Sequence, residues 1–195
     1  MKPAEYFKHY RAVIVTDDRG REKKEIRYYG DYYHVQLGKA AFRRKKWILS
    51  VASAILLILY LILSSRNVAI NREGAASAFC VLMVFPLFFE LLGAVSFLFS
   101  KGKMDEHEYR TGYRFALLGA GSVCFISILC GIVTLLAWIF QAHMTEPGGS
   151  ILVMVCYVLM AVLSFIIKKF TESIPFEIEK GVLSDDIEEG RGQNG

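Results

Sequence analysis

Four stretches of this chain are long, apolar and almost free of charge, and they leave it few ways to fold. Residues 47–63, 115–140 and 151–167 contain no Asp, Glu, Lys or Arg, and residues 75–99 contain one, Glu90. A helix rises about 1.5 Å per residue, so roughly 20 apolar residues, with about 17 as the lower limit, cross a hydrocarbon core of about 30 Å. All four stretches reach that length. They are continuously apolar where barrel strands would alternate, and backbone left unpaired in lipid is costly, so each reads as a helix. The expected fold is an all-α membrane protein: a four-transmembrane-helix bundle with a small cytoplasmic N-terminal β-hairpin element. The chain is 54% hydrophobic and 22% charged. Segregation of the two along the sequence excludes a disordered chain, a disulfide-stapled secreted domain and an ordinary soluble globule.

The division that follows is a basic head at 1–46, four spans at 47–167 and an acidic tail at 168–195. Alternating the segments across a bilayer puts 21 of the 23 Lys and Arg residues on one side and 2 on the other. Basic flanks are retained on the cytoplasmic side, so both termini are expected there. Arg43, Arg44, Lys45, Lys46 and Trp47 at the first span, and Lys168 and Lys169 after the fourth, are the expected lipid-headgroup anchors, suited to anionic headgroups. The first span starts too late for a cleaved signal peptide. No Asn-x-Ser/Thr sequon is present. Short loops without a large outer domain suggest a bacterial plasma membrane.

The head carries 13 basic and 6 acidic residues, yet it has strand signals. Arg11–Thr16 is β-branched, residues 17–20 supply turn chemistry, and residues 25–35 hold Ile26, Tyr28, Tyr29, Tyr32 and Tyr33. A two- or three-stranded antiparallel element is predicted, with Gly30 and Asp31 as a second turn or bulge. So small a sheet needs another surface to lie on. After the fourth span, residues 173–179 alternate, placing Ile174, Phe176 and Ile178 on one face if extended, with Pro175 restricting the segment to an edge. The tail, net −3, and the head, net +7, share one side, so the tail strand is expected to dock on the head's sheet, within crosslinking reach of position 14 from position 176. Residues 185–195 read as disordered. Tyrosines beside basic residues also suit nucleic acid, but the neighbouring span and the strand pattern account for them, and no nucleic-acid partner is expected.

Chemistry-bearing motifs are scarce. Cys80, Cys124, Cys130 and Cys156 all fall inside spans without Cys-x-x-Cys spacing, and no His lies in a span to ligate haem. Walker, His-Glu-x-x-His and Gly-x-Ser-x-Gly patterns are missing. No enzymatic activity and no cofactor or resident metal are expected. Asp105, Glu106, His107, Glu108 and Arg110 could hold a metal at a cytosolic-face site, but adjacent positions do not share a helix face, and the cluster reads as a solvated loop.

The best candidate site is Glu90. A charged group within a span costs a few kcal/mol, so Glu90 should be protonated, paired, or turned to the bundle interior or water. Pro86, one turn earlier, removes an N–H donor and favours a kink, while Gly93 and Ala94 permit close helix approach. On the third span Ala116, Ala120, Cys124, Ser127, Gly131 and Thr134 fall within an 80° arc at about 100° per residue, a helix-packing stripe. Residues 147–149 read as a tight outer turn. The favoured function is a non-enzymatic subunit or accessory factor of a larger membrane assembly of transport or export type, partnered by another membrane protein subunit. The alternative is a small homo-oligomeric transporter or channel using Glu90 as a proton or cation site.

Overall fold

The computed structural model describes residues 9–16, 21–65, 74–140 and 147–181. In chain order it contains strands β1 (Tyr10–Thr16), β2 (Glu22–Tyr28) and β3 (Tyr32–Val35), helices α1 (Lys39–Ser65) and α2 (Gly74–Phe99), a two-residue strand β4 (Lys103–Met104), a helical stretch at 106–114, in place of the expected loop, that leads into α3 (Phe115–Phe140), helix α4 (Pro147–Glu172), and strand β5 (Phe176–Glu179). All four helices are long and apolar enough to cross a membrane. The protein is an integral-membrane four-helix bundle with a small N-terminal β element. The tail beyond residue 181 and the turn at 17–20 lie outside the described residues.

Helix boundaries differ from the apolar stretches in an informative way. α1 begins at Lys39, eight residues before the charge-free run, so Arg43–Lys46 occupy helical turns. Residues 147–149 are the first turn of α4, not a loop. Proline at a first helical position loses no hydrogen bond, since that N–H has no partner in the helix. At its other end α4 runs five residues past Ile167, because Lys168 and Lys169 can extend towards water from a continuous helix and pair with Glu172.

The helices form a ring in which α1 packs on α2, α2 on α3, α3 on α4, and α4 back on α1. Each presents a seam with alternating steps of three and four residues, the geometry of a left-handed bundle. On α1 the seam is Phe42, Lys46, Leu49, Ser53, Leu56, Tyr60 and Leu63; on α4 it is Ser150, Val153, Tyr157, Met160, Ser164, Ile167 and Thr171. The α2 seam runs Met83, Leu87, Glu90, Ala94 and Phe97, and the α3 seam Ala116, Ala120, Val123, Ser127, Cys130 and Thr134, every one of them buried. Large apolar side chains such as Phe85, Phe88 and Phe125 point away from the ring, as a lipid-facing surface requires.

β1 and β2 form an antiparallel hairpin in the register Ala12↔Ile26 and Ile14↔Lys24. β3 belongs to a second sheet, in the order β4-β3-β5. Gly30 and Asp31 therefore pass the chain from one sheet to another and do not turn a hairpin. The tail strand does dock on the head, but on β3, pairing Tyr33↔Ile178 and Val35↔Phe176. Position 14 sits in the other sheet. Phe176 seals this junction against Tyr109 and Tyr113, at 5.1 and 4.7 Å between ring centroids, and Tyr33 stacks on Tyr109 at 4.0 Å. At the sheet's far end the Gly181 N–H donates to Asp31 Oδ1 at 2.9 Å.

Facing residues of an antiparallel pair have Cα atoms about 4.5–5.5 Å apart, within disulfide range. Cysteines introduced at 35 and 176, with the four native cysteines replaced, are expected to crosslink on mild oxidation, and cysteines at 14 and 176 are not. Gel mobility before and after reduction reads the result.

Glu179 gives the sheet a pH dependence. Its carboxylate accepts from Lys103 Nζ at 2.8 Å and from His34 Nε2 at 2.5 Å, and these two bonds, Lys103 first, hold it below the usual carboxylate range. A depressed folded-state value means that the contribution is full above the ordinary value of 4.5 and is lost as pH falls below it. Amide-exchange protection of β5 should accordingly fall as pH drops below 4.5, and Glu179→Gln should remove that acid dependence.

Candidate intramembrane site

Glu90 is fully buried on the α2 seam. Glycines make that possible. A Cβ on Gly119 would lie 2.5–2.6 Å from the backbone N, Cα and Cβ of Glu90, and one on Gly93 would lie 2.2 Å from the Ala116 N. α2 and α3 thus touch backbone to backbone at Glu90 and again one turn later at Gly93, closer than any side chain allows. α2 runs unbroken through the buried Pro86, one turn away.

On the neighbouring helix α1, Ser53 completes the site. Its Oγ lies 2.5 Å from Glu90 Oε1 and 2.9 Å from the carbonyl oxygen of Leu49. A hydroxyl has one proton to donate, so these two contacts admit two arrangements. With a neutral carboxyl, Glu90 donates to Ser53, which donates to Leu49. With a carboxylate, Ser53 turns and donates to Glu90. The same heavy-atom positions serve both proton states. Glu90 Oε2 has no partner among the described residues.

The site lies towards the basic end of the bundle. Ser53 is two turns from Lys46, whose Nζ donates to the Ser100 carbonyl at 2.7 Å. Ser50, between them, donates to the Lys46 carbonyl at 3.0 Å.

Other residues singled out from the sequence are distributed differently. Ala116 and Ala120 of the small-residue stripe face α2, and Gly131 faces Tyr157 of α4, where a Cβ would meet the Tyr157 Cβ at 3.8 Å. Four of the stripe's six residues, Ala116, Ala120, Ser127 and Thr134, are buried within this chain, while Cys124, Ser127 and Gly131, with Tyr157 opposite, border an apolar groove of about 670 Å³ between α3 and α4. Of the basic anchors, Lys45 donates to the Ser173 carbonyl and hydroxyl at 3.1 and 2.8 Å, and Lys169 pairs with Glu172 at 2.9 Å. Arg43, Arg44 and Trp47 remain at the surface, where they line a shallow depression with Lys39. Asp105 is engaged structurally: it caps the Glu108 N–H at 2.7 Å and accepts from the Tyr10 hydroxyl at 2.8 Å. Burial first, and then that bond, push the Tyr10 phenol well above its usual range. Among the described residues no three His, Cys, Asp or Glu side chains converge to hold a metal ion.

Ser53 and Gly119 are the two site residues that the sequence pattern did not single out. These features define an integral-membrane four-helix protein with a buried carboxyl group on its central seam. Comparison with protein families, with curated proteins and with solved structures finds no match to this chain.

Proposed function

We propose that this protein is a small membrane transporter or channel in which Glu90 binds and releases the transported ion, and that the ion is a proton. The observation that carries this reading is the Glu90–Ser53 pair, a fully buried carboxyl whose one side-chain partner among the described residues accommodates both of its proton states. Divalent cations such as Ca²⁺ and Mg²⁺ take six or more oxygen ligands. Here the described side chains bring two groups to the site, which suits a proton. The basic end is taken as cytoplasmic, with Arg43, Arg44 and Trp47 against anionic headgroups.

The test is proton flux into liposomes reconstituted with the full chain, driven by an imposed pH gradient and compared with Glu90→Gln. A second reading, a subunit of a larger membrane assembly, draws on the lipid-facing groove between α3 and α4. Mass measurement after purification in mild detergent separates the two: a heteromeric partner favours the subunit, and a lone chain or homo-oligomer favours the transporter.

A further inference from the structure

Glu90 is not the only unsatisfied polar group inside the bundle. The Oγ atoms of Ser127 and Ser164, the Oγ1 of Thr134 and the hydroxyl of Tyr157 are buried without a well-formed hydrogen bond among the described residues, and all four residues are at most 1% exposed. The Tyr157 hydroxyl faces the thiols of Cys130 and Cys80, which are weak partners. In native structures nearly every buried polar atom is paired with protein or with ordered water, so several such atoms in one region are an observation to be explained.

Their positions are ordered. On α4 the polar seam residues recur every seven positions, at Ser150, Tyr157, Ser164 and Thr171, with Val153, Met160 and Ile167 between them. Ser127 and Thr134 repeat the same interval on α3. Helix neighbours set their heights, since Gly119 abuts Glu90, Gly131 abuts Tyr157, and Gly121 lies beside the Lys168 side chain. At about 1.5 Å per residue along α3, Ser164 then sits about 8 Å further along the bundle axis than Glu90, towards its far end. Ser127 follows after about 4 Å more, Tyr157 with Cys130 after about 5 Å, and Thr134 after about 5 Å. Along the bundle axis every step is one that one or two water molecules span. On the basic side Ser53, Ser50 and Lys46 continue the line along α1.

We infer that Ser164, Ser127, Tyr157 and Thr134 line an internal file of water that conducts protons between Glu90 and the far end of the bundle. The inference rests on the proton reading of Glu90 and adds the route and its carrier. Along the file a proton enters at one end as another leaves at the other, each hydroxyl accepting one hydrogen bond and donating one, so no group changes its net proton count over a cycle. Hydroxyls without any further charged group suit protons and water and offer little to a desolvated metal cation. The polar row on α4 alternates with apolar layers, which keeps the file narrow.

The test uses the full chain in liposomes and the near-isosteric triple variant Ser127→Ala, Ser164→Ala, Thr134→Val, with Tyr157→Phe as a separate variant. Two readouts are taken. Gradient-driven proton flux is expected to fall at least tenfold in the triple variant at unchanged helix content and melting temperature. Radiolytic hydroxyl-radical labelling, which marks side chains next to bound water, is expected at Tyr157, Cys130 and Met160 in the wild type and to drop severalfold in the triple variant. A triple variant with wild-type flux, beside a Glu90→Gln variant without flux, overturns the file and leaves the Glu90 reading standing. Unlabelled interior residues in the wild type overturn the file whatever the flux. Wild-type flux in Glu90→Gln overturns the site itself.

Discussion

Glutamine at position 90 is expected to leave the bundle folded and to abolish gradient-driven proton flux, a loss of at least a hundredfold. The two effects separate because of what Ser53 offers. A glutamine amide can donate to Ser53 Oγ as a neutral carboxyl does, and Ser53 can still donate to the Leu49 carbonyl 2.9 Å away. What the amide lacks is a second proton state. Melting temperature and oligomeric mass should therefore match the wild type while liposome flux disappears. Equal damage to folding and flux would instead make the carboxyl an assembly contact. Ser53→Ala makes the complementary case. It leaves Glu90 Oε1 without its partner, beside an Oε2 that already has none, and losing one buried hydrogen bond costs about 1–3 kcal/mol. That variant should melt earlier and conduct less, whereas Glu90→Gln changes conduction alone.

The number, apolar character and approximate positions of the four helices were legible in the sequence because the bilayer imposes a length and a composition that few other folds share. Helix ends were less so. At Lys39 and Pro147 the backbone continues its helix after the apolar run has ended, and hydropathy does not register that. Glu90 stood out as the single charge in a span, but its partner did not. Within a segment that is apolar on every side, a serine such as Ser53 carries no more contrast than Ser50 or Ser64. Hydropathy also conceals the seven-residue recurrence of Tyr157, Ser164 and Thr171, since it averages over the period that matters. A search for a heptad of hydroxyl-bearing residues would have found that row. Gly119 falls outside the small-residue arc drawn through Ala116 and Ala120 because α3 touches two neighbours, and its closest approach to α2 lies to one side of that arc. In the head, β propensity was visible, but pairing was not: whether β3 joins β2 or β5 depends on contacts of Tyr33 and Phe176 with Tyr109 and Tyr113, distant in sequence.

Alanine at position 93 is expected to destabilise the bundle by about 3 kcal/mol, at the upper end of the usual cost of overpacking. In lipid no hydrophobic drive holds two helices together, so close packing of small residues carries much of their affinity. The added Cβ would stand 2.2 Å from the Ala116 N and 2.8 Å from its Cα. Both are backbone atoms of a helix and cannot swing aside, so α2 and α3 must separate. Gly119→Ala meets the Glu90 backbone at 2.5–2.6 Å and should cost a similar amount. Gly112 and Gly121 are the internal controls. A Cβ at 112 reaches the Phe97 backbone at 3.3 Å, which a small local shift relieves, and at 121 it meets only the Lys168 side chain at 3.8 Å. Gly121→Ala should therefore gain up to about 1 kcal/mol from helix propensity. Thermal unfolding in detergent, followed by circular dichroism, should rank the melting temperatures 121 above wild type, 112 slightly below it, and 93 and 119 lowest. The latter two should also lose proton flux, because separating α2 from α3 moves Glu90 relative to Ser53, a contact of 2.5 Å with no slack. If 93 and 112 melt together, the backbone contact between α2 and α3 is not what holds the carboxyl in place.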